Sequence, residues 1–314
     1  YFQKQMKSKI RSMGGSFELT VRRSHILDDS YNKIFGKNPQ ELLKPIHVKF
    51  INEEGVDAGG LKRDWFTSLV KELFNPNYAL FIPSSNKRSS QPNPLSFINN
   101  NHIAYFKFAG QLIARALIEG INVDAHLTTS FCKHILRSPL SLRDLEDVDE
   151  SLHKSLQWIL ANNIDDPDYD PELYFIINEE RLGSVISINL IPNGDNVKVT
   201  NDNKEEYINL IIEHRLKNSI ATQLKSFCDG FYSLISYDDI KRFSPNELDL
   251  LICGIPNIDV EDLKKYTEYQ FPYTADTPVI RYFFDAISKW DNEKLAKLLL
   301  FITGSSQLPI AGFK

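Results

Sequence analysis

Cysteine is scarce in this chain: three in 314 residues, at Cys132, Cys228 and Cys253. Three thiols so widely separated cannot form a disulfide framework, and the count fits a reducing compartment, so cytoplasm or nucleus is the expected location. Long apolar runs are missing too. Even FKFAGQLIARALIEG is interrupted by Lys107, Arg115 and Glu119, and the first residues lack the apolar stretch of a secretory leader, so the sequence predicts a soluble intracellular chain with no membrane partner. Charge of one sign is also lacking. With 36 Lys and Arg against 41 Asp and Glu the net charge is −5, which gives no general attraction for nucleic acid or an anionic surface. The locally basic first 23 residues read as a solvated helix face. No internal repeat or low-complexity tract is present, which removes the solenoid architectures.

The motifs of common chemistries are absent as well. There is no GxSxG, P-loop, GxGxxG, HExxH or CxxC. The nearest metal-like grouping, Cys132 with His134, has no second pair, and the cysteine falls among apolar helix positions, as a buried structural thiol does. Cys253 sits near a helix C-terminus, where the dipole disfavours a thiolate, with no histidine close in sequence. Cys228 precedes Asp229, whose charge opposes ionisation. The seven histidines are scattered, and the acidic runs DLEDVDE and DDPDYDPE read as solvated faces and loop punctuation. EEGVDAGG lacks the Lys-Ser/Thr that would make it a phosphate loop, so its glycines serve a tight turn into the next helix. Neither a metal nor a cofactor is expected.

What is present is material for a core: 42% hydrophobic and 11% aromatic residues, in a length suited to one large domain or two smaller ones. Helical spacing is found in residues 1–13, in SHILDDSYNKIF, DWFTSLVKELF, HIAYFKFAGQLIARALIEG and TTSFCKHILRS, and in one acidic-headed run from Asp144 to Asn163. It continues through one long run from Glu205 to Gly230 and through SPNELDLLICG, then a helix from about Asp259 and two more in RYFFDAISKWDNEKLAKLLLFITG. FELTVRR and IHVKFIN read as strands, as do LYFIIN, SVISINLI and VKVT. Residues 83–101 read as a long polar loop. The fold class is α+β, mostly helical, with a few short strands.

Six ordered blocks are together more specific than any single motif: EEGVDAGGLKRDWF with FNPNYALF, NPLSFINNNHIAYFKFAGQLIARAL, NGDNVKVTNDNKEEYINL, NELDLLICGIPNIDVEDL and FITGSSQLPIAGF. In this order and spacing the chain resembles a HECT-type ubiquitin ligase from about residue 20 to its last residue, and is most similar to the very large HECT ligases of the class that includes Mule. The resemblance implies a helical N-lobe that docks a ubiquitin-conjugating enzyme. It also implies a hinge, and a C-lobe whose cysteine carries ubiquitin as a thioester before a substrate lysine receives it.

In these terms residues 1–19 are a helical extension, 20–272 the N-lobe, 273–276 the interlobe hinge and 277–314 the start of an incomplete C-lobe. The family's Thr-Cys-Phe-Asn nucleophile motif is absent, none of the three cysteines replaces it, and Gln307 stands where the family usually has arginine. The chain alone is therefore expected to be inactive, with a non-catalytic HECT-derived scaffold as the alternative reading.

The partners implied are a conjugating enzyme, ubiquitin, and substrates held by regions outside this chain. Carried over residue by residue, the docking groove takes Leu152, Leu156 and Ile159 from one helical stripe, Leu173 from PELYF and Val260 from NIDVEDL. Such a stripe is equally the pattern of a core face. Asn162 takes a position that is aromatic in some members. The hinge comprises Tyr273, Thr274, Ala275 and Asp276, which follow a proline and have no apolar periodicity to hold them.

Overall fold

A computed structural model of the chain describes residues 2–11, 14–53, 59–165, 172–255, 258–303, 308 and 312–313. In chain order the elements are α1 (Phe2–Arg11), β1 (Phe17–Val21), α2 (Ile26–Ile34), α3 (Pro39–Leu42), β2 (Ile46–Phe50), α4 (Gly60–Leu73), β3 (Phe81–Pro83) and β4 (Ser90–Pro92). There follow α5 (His102–Glu119), α6 (Thr129–Ile135), α7 (Leu145–Val148), α8 (Glu150–Ala161), β5 (Ile176–Arg181), β6 (Ser184–Asn189), α9 (Lys204–Leu216) and α10 (Ala221–Tyr232). The chain continues with α11 (Tyr237–Ile240), α12 (Pro245–Cys253), α13 (Val260–Tyr266), α14 (Pro278–Ile287) and α15 (Asn292–Thr303). Helices dominate and the strands are short, the α+β class expected. No helix among the described residues is long and apolar enough to cross a membrane.

The chain divides into two compact units. The first holds residues 1–74, 108–126 and 230–314. Here β1 and β2 pair in parallel, with Phe17 opposite Ile46 and Val21 opposite Phe50. Alternation puts Leu19, Val21, Val48 and Phe50 in the core. Beside them α2 and α4 pack together, and the buried Trp65 donates its Nε1–H to Ser30 Oγ at 2.9 Å. Arg115 is buried as well; its guanidinium donates to the carbonyls of Leu42 and Lys44, at 2.7 Å each, and to Glu119 at 2.5 Å. These partners offset the cost of taking a guanidinium out of water.

The second unit holds residues 75–107 and 127–229. The stretch expected to be one long loop contains a hairpin: β3 pairs with β4, Phe81 opposite Pro92. Asn93 explains why a polar, proline-bearing segment orders, since its side chain donates to Ala79 O and accepts from the Leu95 N–H. The run from Asp144 is not one helix either. It breaks at Asp149, whose non-helical backbone (φ −150°, ψ 84°) closes α7 and whose side chain caps α8 by accepting from the Leu152 N–H at 3.0 Å. The long helical run from Glu205 likewise splits at Lys217, between α9 and α10. β5 and β6 form an antiparallel hairpin as expected, while VKVT contributes an isolated bridge from Lys198 to Tyr174.

Candidate functional site

None of the three thiols is exposed. Cys132 and Cys253 are buried. Cys228 is half-buried, and burial followed by the charge of Asp229 pushes its thiol up to about 11, which leaves almost no thiolate near neutrality. Unassisted nucleophilic chemistry therefore has no candidate among them. The unit of residues 75–107 and 127–229 presents exposed apolar residues around α8.

α8 is twelve residues long, and its ends are tied down. At the start, Ser85 of the β3–β4 turn donates its backbone N–H to Asp147 O at 2.8 Å and its hydroxyl to Val148 O at 2.9 Å, and that hydroxyl accepts from the Glu150 N–H at 3.4 Å. Arg215 of α9 approaches the capping Asp149 at 3.7 Å. At the end, Asn162 donates its side-chain amide to Trp158 O at 2.8 Å, and Lys204 donates to Asn162 O at 2.6 Å. Asn162 thus closes the helix.

Leu156 and Ile159, expected to face a partner, are core residues instead. Leu156 is 1% exposed and Ile159 8%, packed with Leu145, Ile164, Phe175, Ile177, Val199, Ile208, Ile211 and Ile212. Their stripe is the one by which α8 is held to its own unit, so neither can contact a partner directly in this conformation. Leu152 and Leu173 sit half-buried at the edge of the same cluster. Leu173 accepts from the Val199 N–H at 2.8 Å. Next to it, Phe175 donates its N–H to Gly194 O, and a Cβ on Gly194 would collide with Phe175 O, so only glycine fits there.

The large apolar residues that α8 leaves exposed are Trp158, 42% exposed, and Leu160, 43% exposed. Neither was singled out from the sequence, although a signal existed. Trp158 falls two residues from Leu156, hence on the opposite side of the helix from that core residue. Leu182 and Val185 stand exposed at the turn of the β5–β6 hairpin. That hairpin is pinned by Glu179, which accepts from His214 Nε2 at 2.7 Å and Arg181 Nη2 at 2.9 Å. Burial opposes ionisation of Glu179, but the two hydrogen bonds prevail and hold its carboxyl below the usual range.

Val260 lies in the other compact unit, so the five predicted docking residues divide four to one between the units. It is the first residue of α13, half-buried against a small core of Ile258, Phe284, Ile287, Leu295, Leu299 and Leu308. Asp259 caps the helix by accepting from the Glu261 N–H at 2.9 Å. The predicted hinge residues Tyr273, Thr274, Ala275 and Asp276 are all exposed and outside any helix. Their ties are local: the Tyr273 N–H reaches Gln270 O, and the Thr274 N–H reaches Thr277 Oγ1 at 2.8 Å. Ile258 before this segment and Phe284 after it share the same small core. Gln307 lies outside the described residues.

Comparison with known proteins adds the following. The family model of the HECT domain (ubiquitin-transferase) matches residues 67–314. The chain is 42% identical over 319 residues to "E3 ubiquitin-protein ligase TOM1-like" of Neurospora crassa, covering all of this chain and 8% of that protein. It is 38% identical over 322 residues to "E3 ubiquitin-protein ligase UPL1" of Arabidopsis thaliana, covering all of this chain and 9% of that protein. To "E3 ubiquitin-protein ligase RSP5" of Saccharomyces cerevisiae it is 40% identical over 315 residues, again over the whole chain and 38% of that protein. The chain thus spans about a tenth of the length of the larger relatives and under two fifths of the smaller one.

Proposed function

Since the chain belongs to the HECT-domain (ubiquitin-transferase) family, we propose that it supplies the docking part of a ubiquitin-protein ligase, receiving a ubiquitin-loaded conjugating enzyme. The observation that carries this reading is the exposure of two large apolar residues, Trp158 and Leu160, on two flanks of a helix fixed at both ends. Leu152 and Leu173 form the half-buried margin of that surface, and Val260 is proposed as a separate contact on α13. Each apolar side chain so covered contributes roughly 1.5–3 kcal/mol, and association costs offset much of the total. A micromolar complex, about −8 kcal/mol, is the expected strength, as suits a donor that leaves once it has delivered its cargo.

In the same reading ubiquitin passes as a thioester to a cysteine of the ligase and from there to a substrate lysine. Cys132, Cys228 and Cys253 are not that acceptor, because two are buried and the third holds its proton. Residues 20–272 act as the N-lobe, and Tyr273, Thr274, Ala275 and Asp276 as the pliant segment before residues 277–314, with substrates recruited elsewhere in the protein.

Two measurements test the proposal. Titration calorimetry of the chain with a conjugating enzyme should give micromolar binding, weakened by Trp158→Ala and Val260→Asp. Affinity unchanged in both variants would remove the docking reading in favour of a helical adaptor of another kind. A non-reducing gel of the chain with activating enzyme, conjugating enzyme and ubiquitin should show no adduct that reductant releases. Such an adduct would reinstate one of the three thiols as acceptor.

A further inference from the structure

His126 and Asp249 are 123 residues apart in sequence, and the fold brings them to 3.1 Å, Nδ1 to Oδ2. Asp249 and Cys253 are one turn apart on α12, so their side chains share a face. The Cys253 Sγ donates to Asp249 Oδ1 at 3.6 Å. One donor atom from each of the three lies within 4.8 Å of the other two. All three residues belong to one compact unit.

Their backbones are set before any ligand arrives. The segment after α5 is fastened to α12 by Val123 N–H to Ile252 O at 2.9 Å and by Asn122 Nδ2–H to Leu251 O at 3.0 Å. Gly254, with φ of 83°, packs so closely on Asn122 and Leu308 that a side chain there would displace one of them. Cys253 is buried, whereas His126 and Asp249 are partly exposed, so one side of the cluster is open to water.

An imidazole nitrogen, a carboxylate oxygen and a thiolate sulfur suit zinc, and three protein ligands with one open position suit a tetrahedral ion that keeps a water. Bond lengths of about 2.0–2.3 Å place the donors of such an ion about 3.3–3.8 Å apart, against 3.1 Å and 3.6 Å to the two oxygens of Asp249 and a span of up to 4.8 Å across the three residues here. We propose that His126, Asp249 and Cys253 form a site for one divalent ion of the zinc class, with water as the fourth ligand, fastening the segment after α5 to the end of α12.

No redox change is involved. The Sγ–H bond breaks, its proton passes to solvent, and an Sγ–metal bond forms while the imidazole and carboxylate lone pairs complete the set. The end of α12 disfavours a bare thiolate, and the metal's charge offsets that penalty.

The test is a titration of the metal-free 314-residue chain with Co²⁺, then with Zn²⁺. One ion per chain is expected, with tetrahedral ligand-field bands, a thiolate-to-cobalt charge-transfer band, and loss of both as Zn²⁺ displaces it. Cys253→Ser should abolish the charge-transfer band, and Cys228→Ser should leave it intact. His126→Gln, at a partly exposed position, should weaken uptake about tenfold or more. A titration without the charge-transfer band, or a band that survives Cys253→Ser or is lost in Cys228→Ser, overturns the site and leaves a hydrogen-bonded cluster. Should Cys253→Ser fail to fold, His126→Gln decides alone, and unchanged affinity there overturns the site.

Discussion

α8 and the pair α14 and α15 carry comparable apolar patterns and use them differently. α8 buries Leu156 and Ile159 in a cluster of twelve buried residues and leaves Trp158 and Leu160 outside. Among the described residues, α14 and α15 bury Phe284, Ile287, Leu295 and Leu299 in a cluster of six, and leave Tyr282 and Phe301 at 71% and 88% exposure. Periodicity fixes which side of a helix seeks burial. How many other elements arrive on that side decides how much is buried, and around α8 strands, helices and loops from residues 145–216 all do.

The comparison breaks first at Leu156. Leu156→Ala should lower the unfolding free energy by about 2–5 kcal/mol, read by urea denaturation, because the site is enclosed and cannot collapse fully. A loss under about 1 kcal/mol would mean that the α8 core is as loose as its counterpart. Trp158→Ala sharpens the contrast on the same helix. Stability should stay within about 0.5 kcal/mol, while affinity for a conjugating enzyme falls about tenfold, since an exposed aromatic contributes to the partner and little to the fold.

Acid should act on the unit that contains α8. Burial holds the His134 imidazole below its ordinary 6.5, opposed by its hydrogen bond to Leu216 O. A histidine whose folded value is depressed takes up its proton more readily when unfolded. Stability should therefore fall as pH drops from about 7.5 to about 5.5. His134→Gln should flatten that slope in denaturation curves at the two pH values; an unchanged slope would assign the sensitivity elsewhere. The smallest effect is expected at Phe301, where Phe301→Ser should leave stability within about 0.5 kcal/mol, in contrast with Leu156→Ala.

Much of the fold was legible in the residues. Ser244, Pro245 and Glu247 announce the start of α12 and Gly254 its end, because caps and terminators are local chemistry. The alternation in Ile46, Val48 and Phe50 gave β2. The β3–β4 hairpin was missed because its order comes from Asn93 bonding back across the strands, a contact that no periodicity records. The break at Asp149 was missed because one aspartate serves as both a stop and a cap.

The site was legible in part. The stripe of Leu152, Leu156 and Ile159 was correctly seen as apolar, yet a stripe is equally the signature of core and of docking surface. Only the presence of Phe175, Ile208 and Ile212 against it assigns Leu156 and Ile159 to the core and leaves the outward role to Trp158.

By itself the sequence determined a mostly helical α+β chain, its helix boundaries where capping chemistry is local, and its membership of the HECT family through six ordered blocks. Tertiary structure alone decided which apolar residues face inward and that His126 stands beside Asp249 and Cys253. The reason is range: capping and periodicity act within a few residues, whereas burial and the meeting of distant side chains depend on which elements the fold stacks together.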